Sequence, residues 1–438
     1  MKGLNSSIIW SLILNAIIAL TGIIRAKYLA LTFGTTAVGL MSQVFQLQML
    51  GLSIGSLALV NGIVSGLSRA GDNEEDKHKI LSTAFWLQLS ISLVISTIAI
   101  VFAKPFSVFT FGSSEYSHIV IITMLGVPFI VLANHQLQAV FFANNGFEKL
   151  NKIAIFVNVI NLVLFFVLAQ TWSVDGAVST ATSLAIIQFL CFLWFAKTYM
   201  PLRQIFGYKW DKEKAFYLIT FATTSLTTYL LIYGGNFLIR RKVIHTLGLD
   251  DNGILQVPIS LSMYYVPLIS WVLWGKVYPV LVQKQLKAAD NFKRILVRSM
   301  WSFLLLATVI ILLKEYIVIV LLSSDFLPAL PLISKYLLGD LLFIICTIYS
   351  VYLLALHHLK AYLIGHLIFI GIYLSGVYLY LNDYKLMAIP YSLISAGIVT
   401  VFVLILYLGL KFRSLIDLKV ILTICIGFMY ILLLGSYF

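Results

Sequence analysis

Few side chains in this sequence can do chemistry, and those that stand out are charges set inside or beside long apolar runs. Arg25 and Lys27 close the first run, Arg240, Arg241 and Lys242 close a later one, and Lys276, Lys335 and Asp340 lie within others. A charge at membrane depth costs at least a few kcal/mol, so it usually meets a partner or a wet cavity. Arginine there brings a permanent charge and paired donors that match phosphate oxygens; lysine brings a compact charge. Diphosphate binding is the chemistry to expect of Lys27, Arg240, Arg241 and Arg25. The competing account is that these cations snorkel into lipid headgroups. Arg25 and Lys27 lie about 200° apart round a helix, so both cannot point squarely into one lumen.

Asp340 falls about eleven residues into its run, roughly 16 Å at helical rise, hence near mid-membrane. It reads equally as a proton or sodium carrier and as the counter-ion of a cation on another helix. Lys335 is the second ion-coupling or counter-ion candidate, although five positions do not make it a same-face neighbour of Asp340. Lys276, Gln46 and Asn61 complete the set as cavity-lining candidates, with snorkelling the simpler account of Lys276.

Absences narrow the chemistry. No GxxxxGK[ST] loop exists for ATP, and no HExxH or GxSxG appears. Every connecting segment is too short to house a catalytic domain, so the chain reads as no enzyme. Cys191, Cys346 and Cys425 sit in apolar runs without CxxC spacing, and His357 and His358 would point about 100° apart on a helix. No metal and no cofactor is expected.

The elements that must position these residues are spelled out by composition. Of 438 residues, 61% are hydrophobic and 11% charged, with mean hydropathy +0.99. A soluble chain is nearer 45–50% apolar and roughly 25% charged. The runs are unbroken over about 20 residues, the length of a spanning helix, and lack the alternation of a membrane barrel. The reading is an all-α polytopic membrane protein of about twelve, with a possible thirteenth, transmembrane helices. The spans are 7–33, 38–68, 80–103, 117–142, 153–172 and 176–196, then 215–239, 253–282, 295–322, 329–357, 362–381 and 388–410. A last stretch, 420–438, is borderline in length for a crossing. The net charge of +13 is scattered through connecting segments and forms no basic stripe, which argues against nucleic acid. About 20 of the 30 Lys and Arg fall in alternate loops on one side, which places the N-terminus in the cytoplasm.

An internal repeat organises the spans. Arg25 to Gly34 and Gly39 match Arg240 to Gly248 and Gly253, with the glycine spacing kept. Lys79-Ile-Leu matches Arg294-Ile-Leu, and Ser113-Ser-Glu-Tyr116 matches Ser323-Ser-Asp-Phe326. The offset stays near 210–215 residues, and an even number of spans per half makes the repeat parallel. The glycine alignment makes Arg241 the partner of Lys27, which favours Lys27 over Arg25. The expected organisation is an N-terminal six-helix bundle over 1–197, a cytoplasmic linker over 198–214, a C-terminal six-helix bundle over 215–410 and a tail over 411–438. Such duplication marks transporters that work by alternating access at a site between the repeats.

Thr32-Phe-Gly34, Gly39-Leu, Gln46-Leu, Asn61-Gly62 and Asp72-Asn73, with Leu321-Leu-Ser-Ser-Asp-Phe326 and Leu338-Gly-Asp340, resemble the Wzx-type oligosaccharide-lipid flippases. These include the O-antigen translocases and the enterobacterial-common-antigen lipid III flippases. The resemblance runs from Leu4 to Leu410 and implies the V-shaped, two-bundle fold of the multidrug/oligosaccharidyl-lipid/polysaccharide exporter superfamily. It implies a substrate as well: an oligosaccharide on undecaprenyl diphosphate, turned from the inner to the outer leaflet of the bacterial cytoplasmic membrane. Lys27, the Arg240–Arg241 pair and Asp340 fall on charged positions of the family pattern. Phe45, where a relative has a cation, and the tail after Leu410 depart from it. The partners implied are the lipid-linked oligosaccharide, membrane lipids and other glycan-assembly proteins. A multidrug exporter or a lipid II flippase of the same fold is the rival reading, and a membrane-embedded glycosyltransferase or polymerase the enzyme-class rival.

Overall fold

The computed structural model describes residues 2–207, 209–273, 288–356, 358–411 and 418–437, and every regular element among them is helical. Lys276 and His357 lie outside the described residues. The helices are α1 (Lys2–Ser56), α2 (Val60–Ala70), α3 (Glu74–Val101), α4 (Ala103–Phe111), α5 (Ser117–Val131) and α6 (Gln138–Ala143). There follow α7 (Phe147–Ala196), α8 (Leu202–Phe206), α9 (Lys212–Tyr229), α10 (Gly235–Leu247) and α11 (Leu249–Val272). The last are α12 (Ala288–Leu321), α13 (Leu330–Ala355), α14 (Leu359–Tyr384), α15 (Ala388–Lys411) and α16 (Leu418–Tyr437).

Among the described residues, seven helical stretches are long and apolar enough to cross a membrane, and three of them are 62, 50 and 52 residues long. A crossing needs about 20 residues, so each of the three must fold back. The first turns at Gly34 (φ 75), the second at Trp172–Ser173 (φ 55 at Ser173) and the third at Lys385 (φ 48). With the bent stretch from Lys212 to Leu247 and with α11, the chain makes about twelve crossings. Large apolar side chains such as Val101, Leu305 and Leu379 stand exposed, as a lipid-facing surface requires. This is a multi-pass membrane protein.

The chain divides into two compact units. Unit 1 comprises Met1–Leu29 and Leu40–Arg241; unit 2 comprises Ala30–Gly39 and Lys242–Phe438. In unit 1, Leu59, Ile63, Leu81, Ala133, Phe141 and Phe192 are the centre of a buried cluster. The segment after α7 is fastened to this unit. Buried Gln136 donates to the carbonyls of Leu81 and Ile205 at 2.9 and 3.1 Å, and Ser82 donates to Gly207 O and accepts from Lys209 N. Lys209 and Lys214 pair with Glu75 and Asp76 at 3.8 and 3.1 Å. The linker is therefore held along α3.

Unit 2 is built round α13, whose residues from Leu332 to Ala355 are almost all buried. Here the repeat becomes visible as geometry. Gly34 and Gly248 both adopt positive φ, 75° and 106°, where a side chain would be strained. Five residues on, Gly39 and Gly253 bring two helix backbones together. A Cβ on Gly39 would strike Leu249 O and come within 2.9 Å of Gly253 N, while one on Gly253 would strike Thr35 O. Thr35 and Thr36 donate to Asp250 at 2.6 and 2.5 Å, and Asn252 donates to Gly39 O at 2.7 Å, closing the crossing. The same correspondence holds elsewhere: Gly126 packs on Thr182 within unit 1 as Gly339 packs on Leu393 within unit 2.

The last helix settles beside α12. Gly427 lies over Met300 and Leu304, Tyr430 bonds Thr308 at 2.9 Å, and Gly435 lies over Ser334 at the start of α13. These contacts advance together, so α16 runs parallel to α12 over 20 residues, about 30 Å and enough to cross. A reporter fused at the C-terminus is expected on the opposite side of the membrane from one fused at the N-terminus. Finding both on one side would mean that α16 does not span.

Candidate functional site

The cationic residues sit in unit 1 with different partners. Arg25 is half-buried in α1, its Cζ 5.9 Å from the centroid of the Phe165 ring. Its Nε and one terminal nitrogen are shut off from the surface, with no hydrogen-bond partner among the described residues. Lys27 is half-buried two residues on, beside Tyr28, whose ring packs edge-on against Phe165 and Phe166. Arg240 is 2% exposed and donates to Ser42 Oγ at 2.8 Å. Arg241 donates from Nε to Phe109 O at 2.7 Å and lies 4.1 Å over the Phe109 ring. Arg240 is thus committed to packing inside unit 1 and Arg241 to an aromatic shelf. Arg25 presents buried donors that no group among the described residues receives. Gln46 is buried with its Oε1 unpartnered, and Asn61 is exposed.

Unit 2 holds the acid. Asp340 is 5% exposed at mid-length of α13, and Ser262 and Tyr265 of α11 both donate to its Oδ2. No salt bridge reaches it among the described residues. Lys335, half-buried on the same helix, makes none with it either.

Neither Ser262 nor Tyr265 stands out in the sequence, yet the repeat marks Tyr265. The offset that carries Gly39 to Gly253 carries Gly51 to Tyr265, and the one that carries Gly126 to Gly339 carries Val127 to Asp340. In unit 1 Gly51 packs on Val127, where a Cβ would come within 2.9 Å of Val127 Cγ2. The Tyr265–Asp340 pair is therefore apolar in the first repeat, whereas Ser262 falls on Gln48, which is buried and donates to Ala181 O at 3.2 Å.

No family model matches the chain. Its fold is that of the exporters of the MOP superfamily. The structure of the lipid II flippase MurJ in an inward closed conformation superposes with a TM-score of 0.74 over 98% of both chains, at 16% identity. An inward-facing multidrug resistance MATE transporter of the MOP superfamily gives 0.65 over 92% of this chain and 94% of that one, at 13% identity. Among curated proteins, the lipid III flippase of Escherichia coli (strain K12) is 24% identical over 333 residues, 73% of this chain and 78% of that protein.

Proposed function

We propose that this chain is a flippase for an oligosaccharide carried on polyprenyl diphosphate, moving it from the inner to the outer leaflet of the bacterial cytoplasmic membrane. The observation that carries the reading is Arg25: a guanidinium in an apolar helix, with buried donors left open and no acid paired to it among the described residues. A drug exporter for organic cations would need acidic groups in that place, whereas a diphosphate needs a permanent, multiply donating cation. The similarity to the lipid III flippase supports the same reading. Lys27 and Arg241 stand as secondary contacts. The excess of Lys and Arg in alternate loops supports a cytoplasmic N-terminus. Asp340 is the candidate for ion coupling, because it is a buried acid held by two hydroxyls with no salt bridge among the described residues.

Deletion of the gene is expected to leave a lipid-linked glycan in the inner leaflet and to reduce surface glycan. If surface glycan stayed normal and cells became sensitive to cationic dyes alone, the exporter reading would replace this one.

A further inference from the structure

Unit 2 brings two lysines together without an acid between them. Lys314 stands on the face of α12 that carries Ala307, Ile310, Ile311 and Val318, all buried, so it points into the helix packing and away from lipid. Its Nζ donates to Ser334 Oγ at 3.1 Å and reaches Leu330 O at 3.5 Å, both on α13. Lys335 follows Ser334 directly, on a face shared with buried Leu332, Leu338 and Leu342, and its charge acts on that of Lys314. Both lysine side chains are half-buried.

Like charges repel, so such a convergence is unfavourable unless an anion offsets it. No carboxylate does so among the described residues. Glu315 and Asp325 are the acids nearest in sequence; both are exposed, and neither forms an ion pair with either lysine. Lys335 makes no hydrogen bond among the described residues either. Snorkelling accounts for a lone lysine on a lipid-facing surface, not for two that converge from the packed faces of neighbouring helices. The repeat shows that the pair belongs to unit 2 alone. The offset that carries Lys79 to Arg294 carries Ala99 to Lys314, and the one that carries Gly126 to Gly339 carries Ile122 to Lys335, so the first repeat has no cation at either place.

A phosphate accepts from several donors at once, which suits two ammonium groups and a hydroxyl. Ser334 Oγ accepts from Lys314 and still has its proton to give. We propose that Lys314, Lys335 and Ser334 form a phosphate-binding site at the α12–α13 end of unit 2. The ligand is a phosphate-class anion, either the headgroup of an anionic lipid or free phosphate. Lys314 lies about 10 Å of helix rise before the end of α12, and Lys335 about 8 Å after the start of α13, so both amines are within side-chain reach of the headgroups. The end of α16 borders the site, where a Cβ on Gly435 would lie 3.0 Å from Ser334 Cβ. Tyr316 and Val320 of α12 and Leu433 of α16 are exposed nearby, a surface on which acyl chains can lie. This site is separate from Arg25, which belongs to unit 1, and does not rest on the identity of the transported substrate.

Thermal unfolding of the full-length protein in phosphate-free detergent buffer, titrated separately with phosphatidylglycerol and with inorganic phosphate, tests it. At least one of the two is expected to raise the midpoint by about 2–4 °C. A rise with phosphatidylglycerol alone means a lipid site, and a rise with inorganic phosphate means that the free anion suffices. Lys335→Gln, which breaks no hydrogen bond, and Lys314→Gln should each raise the half-saturating concentration about tenfold or more. Lys335→Arg, which keeps the charge, should stay within about threefold of the parent. Lys360→Gln combined with Lys385→Gln removes two exposed charges elsewhere in unit 2 and should leave the response unchanged. A parent protein that responds to neither ligand, or Lys335→Gln and Lys314→Gln proteins that respond as the parent does, overturns the proposal.

Discussion

Arg25→Ala is expected to cut surface glycan at least tenfold while the protein inserts at parental abundance. Hydrogen bonds to charged groups contribute about 1.5–3 kcal/mol each, and tenfold corresponds to about 1.4 kcal/mol, so loss of a single diphosphate contact suffices. Arg25→Lys should recover part of the activity, because charge is kept and the paired donors are not. Arg241→Ala should have a smaller effect, since that guanidinium is already occupied by the Phe109 carbonyl and ring. Arg240→Ala should lower protein abundance instead, because it removes a buried side chain and the hydrogen bond that it donates to Ser42. Glycan display measured against protein abundance separates the three. Parental display by an Arg25→Ala protein that inserts normally would make this cation a headgroup anchor.

A larger effect is expected at Asp340, and the repeat supplies its control. Asp340→Val alone copies the first repeat but strands the Ser262 and Tyr265 hydroxyls, at about 1–3 kcal/mol each. The triple change Asp340→Val, Tyr265→Phe and Ser262→Ala removes donors and acceptor together. Replacing a buried polar group with apolar side chains of similar volume is often neutral, so its thermal stability in detergent should stay within about 1–2 kcal/mol of the parent. Transport should nevertheless fall by about a hundredfold, because the protonatable group has gone. A triple variant that is stable and displays glycan normally would reduce Asp340 to a polar tie between α11 and α13. Asp340→Asn, which keeps hydrogen bonding but cannot ionise, should behave like the triple variant in transport.

The spanning segments, the glycine elbows and the repeat were legible because each rests on local signals: apolar run length, glycine spacing and charge bias. The break at Leu57–Leu59 and the π turn at Leu132–Leu137 were not. Ser-Leu-Ala-Leu-Val carries no proline or glycine, although Ser56 Oγ accepts from Ala58 N at the break, and the π turn is tied through Gln136 to Leu81 and Ile205, distant in sequence. Helical angle sets Arg25 and Lys27 about 200° apart, but the open donors of Arg25 depend on Phe165 and its surroundings. Asp340 was legible as a mid-membrane acid; Tyr265, 75 residues away, was visible only as a departure from the first repeat. The linker read as a plain cytoplasmic connection. Its attachment to α3 depends on Ser82, Thr83 and Gln136, whose side chains look like ordinary helix residues in sequence.

The glycine crossing has the form of a dimer contact. Gly39 meets Leu249 O as Gly253 meets Thr35 O, so each partner gives the other what it receives. Such isologous contacts are made by identical chains related by a twofold axis. Because both repeats enter the membrane the same way round, two copies of a single ancestral half could have met at this crossing before any gene fusion joined them. In that light the polar pair at Tyr265 and Asp340 is a difference acquired by one repeat after the two had parted.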